Sequence, residues 1–184
     1  MIDYRCERPE DKGAIEFLLD MAFGPGRFAK TAYRLREGVD CIPELSLVAM
    51  EEGILRGSIR FWPIQIGEAQ TPALLLGPLV VDPVHRGRGI AVKLMQLSLE
   101  MAAAHGHHIV VLVGDEPYYA RVGFSSVMAK GLSLPGPVDL KRLLAKELTP
   151  GALAGVSGLV RKALDAGYAQ SLLADAGPLL KAQA

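Results

Sequence analysis

The chain is poor in cysteine, carries no excess charge and lacks any long apolar run. Cys6 and Cys41 stand alone, without a Cys-x-x-Cys pair, so we expect two reduced thiols rather than a disulfide framework. The 20 basic residues balance 20 acidic ones, which argues against a general nucleic-acid-binding protein. Apolar runs such as residues 73–81 fall well short of the roughly 18 residues that a membrane span needs.

The amino-terminal stretch, MIDYRCERPEDK, is charged and lacks the apolar core of a secretion signal. We therefore expect a cytoplasmic protein that binds neither nucleic acid nor a membrane.

Two nucleotide-binding motifs are missing as well. The chain contains no GxxxxGK[ST] string, which a Walker phosphate loop requires. A dinucleotide fingerprint needs a third glycine, but Gly87-Arg88-Gly89 is followed by Ile90, Ala91 and Val92. A nicotinamide-dinucleotide domain is therefore disfavoured.

Hydrophobic spacing predicts an α/β chain. Strand, helix and strand follow one another over residues 73–114, so the strands at 73–81 and 109–114 should be parallel. The residues around Glu52-Gly53 predict a hairpin turn. The predicted helices cover 10–22, 28–37 and 88–105, and the predicted strands cover 45–50, 54–66, 73–81, 109–114 and 124–129.

The carboxyl-terminal part has a different pattern. Leu140, Leu143, Leu144 and Leu148 predict one face of a helix over 140–148, and Thr149-Pro150 predicts the start of a last helix that runs toward Leu173. The length favours a single domain over 1–184, with a core of about 1–131 and a helical extension of about 137–184. The last helix could pack on the domain's own surface, which we favour, cover the acceptor site as a lid, or form a homodimer contact.

The joint between the strand at 73–81 and the helix at 88–105 has the composition of a diphosphate site. The first turn of a helix presents unpaired backbone N–H groups at the positive end of the helix dipole. Gly87 and Gly89 let backbone approach phosphate oxygens without a Cβ in the way, and Arg86 and Arg88 can add charged hydrogen bonds.

Two blocks of residues resemble the GNAT superfamily of N-acetyltransferases. Leu79-Val80-Val81-Asp82-Pro83, followed by Arg86-Gly87-Arg88-Gly89-Ile90-Ala91, is similar to its acyl-CoA-binding motif, commonly written [Gln/Arg]-x-x-Gly-x-[Gly/Ala]. Downstream, Tyr118-Tyr119-Ala120-Arg121-Val122-Gly123-Phe124 resembles the family's aromatic-Tyr-x-x-x-Gly-Phe segment. The resemblance covers about 45–129 and is nearest to a poorly characterised bacterial group.

The resemblance implies a mixed, mostly antiparallel sheet with a central parallel pair of splayed strands, flanked by helices. It also implies acetyl-CoA as cosubstrate, without a metal. Gly77-Pro78 would form a bulge, because Pro78 cannot donate a ladder hydrogen bond. The family pattern then has the N–H of Leu79 polarise the thioester carbonyl and the backbone of Val81 pair with pantetheine. Arg86, Gly87, Arg88, Gly89, Ile90 and Ala91 would wrap the pyrophosphate, and Val80 and Tyr118 complete the expected cofactor-binding set.

The reaction that the resemblance implies is transfer of an acetyl group to a primary amine. Tyr119 would protonate the departing CoA thiolate, the alternative being that it only packs against the cofactor. No carboxylate lies on the strand before the loop, so the general base is not assigned among Asp115, Glu116, Glu44, Glu51 and a water relay. A non-catalytic acyl-CoA-binding or sensing module therefore remains the rival. The acceptor, a small-molecule or peptide amine, and the length of the acyl chain stay open.

Other candidate residues have ordinary interpretations. His105, His107 and His108 lack carboxylate or thiol companions at ligand spacing, so we expect solvated turn histidines rather than a metal site. His85 could assist the phosphate loop or be a surface residue. Trp62 could line an acceptor pocket or pack half-buried.

Overall fold

The computed structural model describes residues 1–163 and contains a mixed sheet with helices on both faces. The strands are β1 (Ile2–Cys6), β2 (Leu47–Glu51), β3 (Ile54–Ile66), β4 (Thr71–Val81), β5 (Ile109–Val113), β6 (Leu132–Ser133), β7 (Leu143–Glu147) and β8 (Gly158–Lys162). The helices are α1 (Lys12–Phe23), α2 (Thr31–Arg34), α3 (Ile90–Ala104) and α4 (Glu116–Tyr119).

The strand order is β1-β2-β3-β4-β5-β7, with β8 pairing β3 beyond the end of β2, and β6 pairing β8. All neighbours along this path are antiparallel except β4 and β5, which are parallel as the βαβ pattern predicts. This arrangement confirms the predicted mostly antiparallel sheet with a central parallel pair.

The central parallel pair is held together over a very short distance. Its register contains only Leu74 opposite Val110 and Leu75 opposite Val111. Beyond that point, the register of β4 against β3 shifts, so that Gly77 and Pro78 face the single residue Arg60. The shift is the bulge that the sequence predicts, and it lies where β4 and β5 separate.

Each face of the sheet has its own core. On one face, α3 packs with alternate residues of the central strands, including Phe61, Leu74 and Val110. On the other face, α1 packs against Val48 and Val80, and the intervening positions of β4 and β5 contact residues that follow α4. Residues 73–76 are buried throughout, as expected for a strand covered on both sides.

Two local predictions in the first 130 residues are wrong, and one strand was not predicted. The helix expected over 28–37 is reduced to the single turn of α2, since residues 25–29 form a 3-10 turn in which buried Arg27 pairs with Glu16 and Asp20. The strand expected over 124–129 is a series of turns with one bridge, Ser125 to Ala145. Strand β1 was not predicted, because charged side chains interrupt its short apolar pattern.

The helices predicted for the carboxyl-terminal part are also wrong. Residues 143–147 form β7, which pairs with β5 and is buried on both faces at its start, so its leucines fit a strand as well as a helix. After Thr149-Pro150 the chain turns, because Gly151, Gly155 and Gly158 all have positive φ, and it then forms β8. The sheet therefore continues past the expected core boundary. The rest of the predicted last helix lies outside the described residues.

Candidate active site

The Asp82 side chain holds the loop that joins β4 to α3, and the two glycines of this loop face open space. The Asp82 carboxylate accepts the N–H of Val84 at 3.1 Å and pairs with Arg56 at 3.0 Å. Gly87 and Gly89 both have φ of +80°, and apart from their own chain neighbours no atom of residues 1–163 lies within 4 Å of where a Cβ would stand on either. Their backbone therefore faces open space, as an anion-binding loop requires.

The start of α3 offers backbone donors at this loop. Gly89 is the left-handed N-cap, and no side chain in the described part of the chain caps the first turn. Ile90 is buried in the core and Ala91 is half-buried, so the two can reach an anion only through their N–H groups. The 15-residue helix directs its dipole toward the same point.

The two loop arginines differ in their surroundings. The Arg88 guanidinium forms a two-point ion pair with Glu51, at 2.9 and 2.7 Å. Hydrogen bonding from Arg88 lowers the pKa of Glu51 to about 2, so Glu51 is ionised and is a poor candidate for a general base. His85 joins the same group, with Nδ1 3.0 Å from Asp82 and Nε2 3.4 Å from Glu51. Arg86 is exposed and has no ion pair among residues 1–163.

The separation of β4 and β5 opens into a cavity of about 620 Å³. Its walls include residues 76–79 of β4, 113–115 at the end of β5, and Tyr119. Leu79 and Tyr119 therefore meet in one cavity, whereas Val80 turns into the core and residues 86–91 are not part of the lining. A second cavity, of about 380 Å³, contacts Thr71, His107 and Thr149 and contains none of the predicted site residues.

Tyr119 is held by close packing. A Cβ on Gly114 would lie 2.2 Å from Cε2 of Tyr119, so glycine is required there for the ring to fit. The rings of Tyr118 and Phe124 meet it edge to face, with centroid distances of 5.2 and 6.2 Å. Burial raises the pKa of Tyr119 to about 12, so its hydroxyl is protonated at neutral pH. Tyr118 is half-buried beside it, with Arg121 over its ring.

Of the carboxylates considered as a general base, only Asp115 lines the cavity, where it pairs with Arg142 at 3.2 Å. Glu116 instead accepts hydrogen bonds from the N–H and hydroxyl of Ser126, which lower its pKa and fix the turn after α4. Glu44 is exposed and outside the lining.

Of the two interpretations of Trp62, the structure supports half-buried packing, whereas His107, Arg36 and Tyr33 were interpreted differently or not considered from sequence. The indole N–H of Trp62 donates to the carbonyl of Gly77 at 2.6 Å, so Trp62 holds the bulge and does not line the cavity. His107 is buried rather than solvated, which lowers its pKa to about 4. Arg36 and Tyr33 both line the cavity, and no motif pointed to them.

Two absences among the described residues bear on the site. None of their helices is long and apolar enough to cross a membrane. Within residues 1–163, no group of three or more His, Cys, Asp or Glu side chains is placed to hold a metal ion.

The comparisons with known proteins identify the family. Residues 10–127 match the family model described as an acetyltransferase (GNAT) domain. The uncharacterised N-acetyltransferase YhbS of Escherichia coli (strain K12) is 33% identical over 157 residues, which cover 85% of this chain and 93% of that protein. The chain belongs to the GNAT family of acetyltransferases.

Solved structures give the same result. A GNAT family N-acetyltransferase from E. coli (YhbS), in complex with CoA, has a TM-score of 0.76 and 30% sequence identity, over 88% of this chain and 89% of that one. A GNAT family acetyltransferase from Brucella melitensis, in complex with acetyl-CoA, has a TM-score of 0.61 and 29% identity, over 82% and 90% of the two chains. The predicted fold and family are thereby confirmed.

Proposed function

We propose that the protein transfers an acetyl group from acetyl-CoA to a primary amine. The observation that carries this proposal is the separation of β4 from β5 after two residue pairs, which leaves a cavity with Leu79 on one side and Tyr119 on the other. Solved relatives of about 30% identity were crystallised with CoA or acetyl-CoA, which supports the same cosubstrate here.

In the proposed complex, the pyrophosphate lies on the loop and the first turn of α3. Arg86 contributes a cation without a protein counter-ion among the described residues, and Gly87 and Gly89 contribute open backbone. Arg88 reaches the phosphates only if it shares its guanidinium with Glu51 or releases that carboxylate. The pantetheine arm then extends along Val81 into the gap between β4 and β5.

The chemical step is direct transfer. The amine nitrogen attacks the thioester carbonyl carbon, and negative charge develops on the carbonyl oxygen, which the N–H of Leu79 stabilises. The C–S bond then breaks, the acetyl group stays on nitrogen, and the Tyr119 hydroxyl gives its proton to the departing thiolate. The proton lost by the amine passes to solvent or to Asp115 and finally restores Tyr119. Each cycle thus converts thioester and amine into amide and thiol.

Binding of the cosubstrate is the first test. Titration calorimetry with acetyl-CoA should give a measurable heat, and Gly89→Ala should weaken binding by about tenfold because a Cβ would stand between the backbone and a phosphate. Gly106→Ala is a matched control, since Gly106 also has φ of +80° and, its chain neighbours apart, no atom of the described residues within 4 Å of its Cβ position. It carries similar backbone strain at the far end of α3. An equal loss of affinity in both variants would contradict the phosphate site.

A turnover assay distinguishes an enzyme from a non-catalytic acyl-CoA-binding or sensing module. Release of free thiol from acetyl-CoA, measured with a panel of amines, should exceed the rate without protein for at least one amine. Binding of acetyl-CoA with no such release by any amine would favour the sensing module, which has the same binding groups but needs no proton donor.

A further inference from the structure

An arginine whose guanidinium is largely buried, and which the proposed chemistry does not use, lines the cavity between β4 and β5. Arg36 follows α2, and its Nη2 lies 3.0 Å from the point where a Cβ on Gly77 would stand. The N–H of Leu79 lies 3.9 Å from that same point. Arg36 is therefore next to the bulge, where the proposed thioester carbonyl and the incoming amine would meet.

Arg36 differs from the other arginines of this region in having no carboxylate partner. Arg27 pairs with Glu16 and Asp20, and Arg142 pairs with Asp115. Within residues 1–163, no salt bridge involves Arg36, and its buried Nε and Nη1 have no hydrogen-bond partner. Its guanidinium lies over the ring of Tyr33, 4.7 Å from the centroid.

A second polar group beside Arg36 is in the same situation. The hydroxyl of Tyr33 is buried and makes no hydrogen bond of normal geometry within residues 1–163, although the guanidinium groups of Arg36 and Arg27 lie beside it. Tyr33 lines the same cavity, next to the cation. Buried polar groups in folded proteins are nearly always hydrogen-bonded, so two adjacent exceptions at one cavity wall indicate a ligand that satisfies both.

The charge of the cavity indicates the sign of that ligand. Arg27, Lys30, Arg36 and Arg142 line it, against Asp115 and Asp139 as the acidic residues. Burial lowers the pKa of Arg36 to about 10, so the guanidinium is still charged at neutral pH. A buried charge without a partner is unfavourable, and an oxyanion would both pair with Arg36 and accept the Tyr33 hydroxyl. The pyrophosphate loop is not part of this lining, so CoA phosphates do not fill that role.

We propose that Arg36 and Tyr33 bind an oxyanion carried by the acceptor, which makes the acceptor an amine that also bears a carboxylate or a phosphate. The inference rests on the proposed acetyl transfer and narrows its acceptor class. The fork of the guanidinium can hold two oxygens of such a group, while the amine is left free to face the thioester.

The test compares amines that differ only in the anion. Glycine and β-alanine are paired with their carboxamides, and phosphoethanolamine is paired with ethanolamine. In the wild type, kcat/KM should be about 10- to 100-fold higher for the anionic member of at least one pair, the range expected for a hydrogen-bonded charge pair. The preferred pair then tells a carboxylate from a phosphate. The kcat/KM of each amine is measured as a function of pH, because a carboxamide makes the neighbouring amine less basic than a carboxylate does.

Variants assign the preference to the two residues. Arg36→Gln should remove the preference for the anionic amine by raising the KM for that amine, while the Kd for acetyl-CoA stays unchanged. Tyr33→Phe should reduce the preference severalfold. Arg36→Lys keeps the charge but loses the fork, so an intermediate preference is expected. Arg34→Gln is the matched control, two residues away on α2 and exposed, and it should keep the full preference.

Two results would overturn the inference while leaving the proposed function intact. One is thiol release that is equally fast with anionic and uncharged amines. The other is a preference for anions that survives in Arg36→Gln, which would place the anion site elsewhere. Failure of the proposed function is distinguishable, since it would be seen as no heat with acetyl-CoA or no thiol release with any amine.

Discussion

Replacing Tyr119 with phenylalanine removes a single oxygen from the proposed reaction centre. The ring should stay in place, since Gly114, Tyr118 and Phe124 pack around it and none of these contacts needs the hydroxyl. Within residues 1–163, the surroundings of that hydroxyl are burial and nearby charges rather than a hydrogen bond, so its loss leaves no protein group unpaired. We therefore expect the stability of the fold and the Kd for acetyl-CoA to change little.

The expected loss is in turnover. A positioned general acid contributes about 10²- to 10⁴-fold. A thiol has a pKa near 8.5, about one unit above an assay at pH 7.5, so a thiolate is already a tolerable leaving group. The loss for Tyr119→Phe should therefore lie at the low end, about 100-fold in kcat. Because burial raises the pKa of Tyr119 to about 12, the wild-type enzyme should not lose activity through deprotonation of Tyr119 below about pH 11.

The assay follows free thiol at saturating acetyl-CoA and acceptor, from pH 6 to 10. Titration calorimetry and thermal melting of the same samples show whether binding and folding are preserved. A kcat within about threefold of the wild type, with intact binding, would remove Tyr119 from the mechanism and leave it as a packing residue. An alkaline loss of wild-type activity that persists in Tyr119→Phe must come from another group.

Three further predictions follow from the same contacts. Gly114→Ala places a Cβ 2.2 Å from the Tyr119 ring, so the ring must move. We expect kcat, measured by thiol release, to fall at least tenfold, and the free energy of unfolding, measured with urea, to fall by about 1–3 kcal/mol. Glu51→Gln removes a negative charge beside the loop and frees Arg88 to pair with a phosphate. Acetyl-CoA should therefore bind more tightly, with a calorimetric Kd about two- to fivefold lower at low salt and a smaller change at high salt. The pKa of His107 is about 4 rather than 6.5, so between these pH values the unfolded chain binds a proton that the native state does not. The free energy of unfolding should therefore drop by up to about 3 kcal/mol as the pH falls from 6.5 to 4. Urea unfolding of His107→Gln should not show this loss.

The sequence predicted the central part of the fold because its periodicity there is unambiguous. The helix at 88–105 has an apolar face over four turns, and the strand–helix–strand order around it fixes a parallel pair. Short apolar segments gave wrong results, since four leucines over 140–148 fit a helix face and also a strand covered on both sides. Gly151, Gly155 and Gly158 lie where the last helix was predicted to begin, and their positive φ values mark turns instead.

The candidate site could be outlined from sequence where it consists of local motifs. The Arg-Gly loop and the bulge at Gly77-Pro78 each lie within a short stretch of chain, whereas Tyr119 was indicated by the family resemblance and reaches the same cavity through the fold. Arg36 was not found, because its surroundings come from β4 and α4, which lie far along the sequence. The partner of Trp62 was missed for the same reason, since the indole reaches the carbonyl of Gly77 on the neighbouring strand. Side-chain partners between strands are a tertiary property, which a single sequence does not specify.

The gap between β4 and β5 is built so that opening it does not require a ligand. Separating two central strands leaves backbone N–H and C=O groups unpaired, which is costly where water is excluded. Each strand is held on its other side: β4 resumes pairing with β3 at Leu79 and continues to Val81, and β5 pairs with β7 as far as Val113. Trp62 fixes the bulge itself through the carbonyl of Gly77. Because these outer pairs keep the strands apart, the backbone groups that face the gap are oriented before an acyl chain enters, and the proposed thioester needs no rearrangement of the sheet to reach Leu79 and Tyr119.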